Sequence, residues 1–200
     1  MKTKSNSFLN YFRPSIYLDS FEKINLFALI NQNITELYCD LDNTLVPHFS
    51  RKPNNNVKTF LKNVKNKGIN VWIASNNSKK RVAEFCKELL NEQIINGYIH
   101  SAKKPLIYKI KKHMKKNEVL PEKMIFIGDQ LLIDIFVANR IGCKSILVHP
   151  LLEVVYNLKT GKKKIQKLIE NFIYLKLEQN SFLNITSFNE EFVNGANEIL

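Results

Sequence analysis

From about residue 35 onward two hydrophobic periods alternate along the chain. Glu36–Leu41 (ELYCDL) is a short, mostly apolar run that reads as a buried strand. In Pro53–Lys67 the apolar positions are Val57, Phe60, Leu61 and Val64, the spacing of one helix face, and Gly68 stands where helices end. Ile69–Ser75 (INVWIAS) is again β-rich, Lys79–Leu90 is helical in pattern, and Gly97–His100 is a weak strand. A lysine-rich helix is predicted over Pro105–Lys116, with proline in its first turn. Lys123–Asp129 (KMIFIGD) predicts a strand, Leu131–Ile141 a helix stopped by Gly142, and Lys144–His149 (KSILVH) the last strand.

Five strands separated by four helices predict right-handed βαβ crossovers and a three-layer α/β/α, Rossmann-like fold with a parallel sheet of about five strands. Residues 35–150 form this core, with a helical lead-in over 1–34 and a helical extension over 151–200. In the extension, Ile165, Leu168, Ile169, Phe172 and Ile173 share one helical face, expected to pack against the sheet or to lie on a membrane.

Composition adds boundaries. The apolar fraction is 44% and the charged fraction 24%, which excludes wholesale disorder. No apolar run approaches the roughly 18 residues of a spanning helix. Lys2 and Lys4 resemble a leader's basic start, but Pro14 and the polar residues around it break any apolar stretch, so no leader is expected. Cys39, Cys86 and Cys143 form neither an even set nor a C-x-x-C pair, so reduced thiols and a cytoplasmic chain are expected. The net charge is +12, and the whole excess sits in residues 51–119. Such a field attracts nucleic acid, an anionic membrane surface or an anionic substrate. Lysine outnumbers arginine 26 to 4, which disfavours nucleic acid and fits a biased composition equally well.

In a parallel sheet, ligands bind beyond the C-terminal strand ends. The first of these carries Asp40-Leu41-Asp42-Asn43-Thr44-Leu45, where an extended chain points both acids the same way. Two like charges there suggest a metal or acid–base site, although the residue types also suit a turn. Ser75-Asn76-Asn77 ends the second strand, either holding an anion with hydroxyl and backbone N–H groups or merely capping a helix. Lys103-Lys104-Pro105 follows the third strand, and Gly128-Asp129 with Asp134 follows the fourth.

Acid pair, hydroxyl, lysine and acid pair, in that order, resemble the four motifs of the haloacid dehalogenase-like (HAD) phosphatases. DLDNTL, Ser75, Lys104 and GDQLLID match them in turn over residues 35–150. The details DLDNTL, ASNN, KKP, GDQ with its following acid, and Asn139-Arg140 are similar to the YqeG-type group of subclass IIIA. Relatives of that group include phosphatidylglycerophosphate phosphatases. Ile133 departs from the threonine often found there.

The resemblance implies that Asp40 is the nucleophile, forming an aspartyl-phosphate, and that Asp42 is the general acid and base. It implies Mg²⁺ held by the Asp40 carboxylate, the Asp42 carbonyl and Asp129, with Ser75 and the N–H of Asn76 on the phosphoryl oxygens. Lys104, or Lys103 beside it, neutralises charge at Asp40, while Asn43, Thr44 and Asp134 support the site. About thirty residues separate successive motifs, leaving no room for a cap domain and at most a flap over Val46–Lys52. An open site suits a bulky phosphate monoester, and phosphatidylglycerophosphate at a membrane surface is the expected substrate. The alternative is a non-catalytic or weakly catalytic binding factor associated with RNA or the ribosome. Cys39 is expected in the core and His48 in an exposed loop.

Overall fold

The computed structural model describes residues 8–151 and 161–179. Lys2, Lys4 and, within the expected C-terminal extension, residues 152–160 and 180–200 lie outside that description. Six parallel strands form one sheet: β1 (Ile16–Leu18), β2 (Glu36–Cys39), β3 (Asn70–Ala74), β4 (Gly97–Ile99), β5 (Met124–Gly128) and β6 (Lys144–Val148). Their order across the sheet is β1-β6-β5-β2-β3-β4. Helices α1 (Leu26–Asn31), α2 (Asn55–Asn66), α3 (Lys79–Asn91), α4 (Tyr108–Lys116) and α5 (Phe136–Ile141) connect them, and α6 (Gly161–Gln179) follows.

The order reveals how the chain winds. It runs outward from β2 through β3 to β4, then returns to the other side of β2 for β5 and β6. The reversal lies between β2 and β5, whose registers pair Cys39 with Ile127. A crevice opens beyond the carboxyl ends of two strands at such a reversal. Every residue of β2 and β5 is buried, so these strands are fixed by apolar packing on both faces.

Three expectations are corrected. The segment 1–34 is not purely helical, because Ile16–Leu18 adds a sixth strand beside β6. Three residues carry too little pattern to announce a strand. Ser15 and Ser145 stitch it down, each hydroxyl accepting the other's backbone N–H at 3.2 and 3.1 Å. The predicted helix over Leu131–Ile141 begins instead as a single wide π turn, Leu131–Ile135, before α5. The predicted helix from Pro105 starts at Tyr108.

Of the apolar face predicted for α6, only Ile173 packs against the protein. Ile173 and Leu177 are buried against Leu9, Phe12, Leu131 and Ile135, while Ile165, Leu168, Ile169 and Phe172 are exposed. No domain is inserted between β2 and β3 or between β3 and β4. No helix among the described residues is long and apolar enough to cross a membrane.

Candidate active site

The residue after β2 is Asp40, whose backbone N–H donates to the Ile127 carbonyl at 2.8 Å and so stays in register with β5. Three residues later Asn43 takes φ +65°, and its N–H donates to the Val46 carbonyl at 2.7 Å. That turn reverses the chain and returns Thr44 to the strand ends, where it is buried. The Thr44 hydroxyl lies 3.1 Å from Asp129 Oδ1 and 3.4 Å from Asp40 Oδ2, so one donor is shared between two acids.

Asp129 follows β5 directly. The wide π turn behind it folds the Asp134 side chain back over Gly128, and the Gln130 N–H donates to Asp134 Oδ2 at 3.2 Å. An ordinary helical turn spaces residues more tightly than this five-residue turn does. Lys104 arrives from the loop after β4. Its Nζ donates to Asp40 Oδ1 and to Asp134 Oδ1, both at 2.6 Å. It also lies 5.2 Å from the centre of the Phe126 ring. The Asn76 side chain clasps the lysine's backbone: Oδ1 accepts from Lys104 N at 2.7 Å, and Nδ2 donates to Lys104 O at 2.9 Å.

Oxygens of Asp40, Asp129 and Asp134 all lie within 4.8 Å of one another. Burial raises the Asp40 carboxyl to about 7 despite the opposing pull of Lys104. Asp129 is raised well above the carboxylate range by burial, then by Asp134 and Asp40. Burial works to lower the Lys104 ammonium, but Asp134 and Asp40 together hold it above its ordinary value. The lysine therefore stays charged, and one cation faces three buried acids. A hard divalent cation with oxygen ligands fits both the residual charge and the donor type.

Asp42 stands apart from this cluster. Its carboxylate accepts from Arg81 Nη2 at 2.9 Å and from the Asn77 side-chain amide. Ser75 is buried at the end of β3, beside β2, and its hydroxyl accepts from the Asn77 N–H at 3.1 Å. It is not the helix cap. Ser78 caps α3, its side chain accepting from Arg81 N. Lys103 is exposed and takes no part in the cluster, whereas Cys39 is fully buried in the core and His48 is exposed. Asn139 and Arg140 act at a distance, the first holding the Asn10, Tyr11 and Arg13 carbonyls and the second the Pro105 carbonyl.

Two partners escaped the sequence reading. Arg81 is one of only four arginines and sits in the first turn of α3, a weak signal that was available. Glu170 accepts the Leu131 N–H at 2.8 Å from 39 residues away, and no local pattern points to it.

Comparison with known proteins places these observations. The family model of the mitochondrial PGP phosphatases matches residues 6–152. The Bacillus subtilis (strain 168) protein described as "Probable phosphatase YqeG" is 31% identical over 140 residues, 70% of this chain and 78% of the relative. The crystal structure of an uncharacterized protein from Listeria monocytogenes serotype 4b is similar at a TM-score of 0.50, with 19% identity over 62% of this chain and 84% of that one. A haloacid dehalogenase-like family hydrolase from Streptococcus pneumoniae has a TM-score of 0.43, with 15% identity over 57% of this chain and 84% of its own.

Proposed function

Since this chain belongs to the mitochondrial PGP phosphatase family and is a HAD-type phosphatase, we propose that it hydrolyses the phosphate monoester of phosphatidylglycerophosphate through an aspartyl-phosphate. The observation that carries the chemistry is Lys104 bridging Asp40 and Asp134 in a buried cluster that also holds Asp129.

In the first step an Asp40 carboxylate oxygen attacks phosphorus, and the bond from phosphorus to the glycerol oxygen breaks. Asp42, entering this step protonated, gives that oxygen its proton, so the oxygen leaves as an alcohol and Asp42 becomes the carboxylate. In the second step Asp42 takes a proton from water, the resulting hydroxide attacks the aspartyl-phosphate, and inorganic phosphate leaves with Asp40 restored. Lys104 balances charge on Asp40 throughout. Ser75 and the Asn76 N–H hold the phosphoryl oxygens, and Thr44 and Asn43 keep the acids in place. Arg81 and Asn77 fix the Asp42 carboxylate. Mg²⁺ would be held by Asp40, Asp129 and the Asp42 carbonyl, with Asp134 beside them, and would neutralise charge on the phosphoryl group.

The uncapped mouth supports a bulky substrate presented at a bilayer, with the chain peripheral to the membrane. The basic excess over residues 51–119 is what favours the non-catalytic or weakly catalytic RNA-binding alternative, and the acid–lysine cluster favours catalysis over it.

Phosphate release from a water-soluble, short-chain phosphatidylglycerophosphate tests the reading. The expected activity requires Mg²⁺ and falls by about 10³-fold or more in Asp40→Asn. Inactivity on that lipid alongside hydrolysis of p-nitrophenyl phosphate would remove the lipid assignment and leave the phosphatase.

A further inference from the structure

Exposed apolar side chains line the outer face of the helix that holds the loop after β5. On α6, Ile165, Leu168, Ile169, Phe172 and Leu175 recur at helical spacing and are 47–60% exposed. The opposite face of the same helix is anchored. Ile173 and Leu177 are buried, and Glu170 holds the Leu131 N–H two residues beyond Asp129. The exposed stripe is therefore tied to the loop that carries the candidate metal ligand. Phe49, on the loop after β2, and Leu106 and Tyr108, after β4, add exposed apolar groups at the same end of the sheet.

Exposed basic residues stand on the segments that follow the strands. Arg51 and Lys52 follow β2, Lys79 and Lys80 follow β3, and Lys103 follows β4, all exposed. Helix α6 itself contains five lysines and two glutamates. Lysine on the loops together with large exposed apolar side chains on α6 matches a surface that is anionic outside and hydrocarbon beneath.

We propose that the outer face of α6 and the basic loops at the C-terminal end of the sheet form a docking surface for an anionic phospholipid bilayer, with the catalytic crevice facing the headgroups. This deepens the lipid-phosphatase reading and rests on it for orientation. The missing cap acquires a physical replacement, because the bilayer itself closes the site while α6 partly inserts.

The test uses the full chain and vesicles of phosphatidylcholine, with or without phosphatidylglycerol. The wild-type protein is expected to sediment with the anionic vesicles, less so as salt rises. The double substitution Leu168→Ser with Phe172→Ser is expected to lower partitioning by about tenfold or more. Its hydrolysis of p-nitrophenyl phosphate should not change, which excludes misfolding. Failure of the wild-type chain to bind anionic vesicles overturns the docking surface, and so does undiminished binding by the double variant. If the double variant instead turns a dimer into a monomer without affecting vesicle binding, the stripe is a self-association face and the proposal is likewise overturned. Turnover of the short-chain lipid separates the two readings. Turnover without vesicle binding removes only the docking surface, whereas vesicle binding without turnover removes only the substrate assignment.

Discussion

Gly128 illustrates how little space the site leaves at the residue scale. A methyl group added there would overlap the Asp134 side chain, which folds back across the end of β5. Asp134 in turn meets Lys104, which also holds Asp40, so the strain passes directly to the proposed nucleophile. Gly128→Ala is expected to cost about 1–3 kcal/mol through overpacking and to slow phosphate release by about 10²-fold through misplaced Lys104. Urea unfolding and turnover of p-nitrophenyl phosphate measure both. A normal rate would show that the Asp134–Lys104 contact does not govern the chemistry. The acids and Lys104 were legible in the sequence because polar residues at the ends of apolar strands are conspicuous. Arg81 was not, because a basic residue in a lysine-rich stretch carries no mark of its partner.

Among the elements, α3 links stability to the site. Ser78 accepts the Arg81 N–H and closes the first turn, the turn that presents Arg81 to Asp42. Ser78→Ala should lower unfolding free energy by about 1 kcal/mol. It should also reduce turnover more than substrate affinity, since Asp42 is the proposed proton donor in bond breaking. A loss of stability with turnover intact would separate the cap from the Arg81–Asp42 pair. The same scale shows where periodicity misleads. Positions 165, 168, 169 and 172 form a sound helical face, yet they remain exposed, and Glu170, Ile173, Tyr174 and Leu177 meet the body of the protein. Spacing defines a stripe, but it does not say whether protein or another surface will cover it. The π turn over Leu131–Ile135 was equally hidden, because the Lys104 that its Asp134 meets lies 30 residues away in the chain.

For the molecule as a whole, the buried acids couple folding to pH and to metal. Folding raises Asp40 to about 7, against about 3.9 in an unfolded chain. Between those values the folded protein keeps a proton that the unfolded chain releases. Metal-free stability is therefore fully present below the lower value and declines as pH rises through the upper one. Asp129 shifts in the same direction. Urea midpoints in EDTA should fall from roughly pH 4 to 8, and saturating Mg²⁺ should reverse much of the fall. Asp129→Asn should raise metal-free stability at high pH by about 1–3 kcal/mol and remove most of the Mg²⁺ gain. A pH-independent midpoint in EDTA would contradict an acid cluster with only one balancing ammonium.

The sequence by itself determined the alternation of strands and helices, the end of the sheet that holds the candidate site, and the acids and lysine gathered there. These are local matters of period, chain polarity and residue type, and they survive without knowledge of neighbours. Tertiary structure alone decided that Asp42 pairs with Arg81 rather than joining the acid cluster, that Ile16–Leu18 becomes a strand, and which face of α6 is left outside. Each of those outcomes depends on a partner 39 to 130 residues away in the chain, and no window of neighbouring residues encodes which distant group will satisfy a donor, an edge or an apolar face.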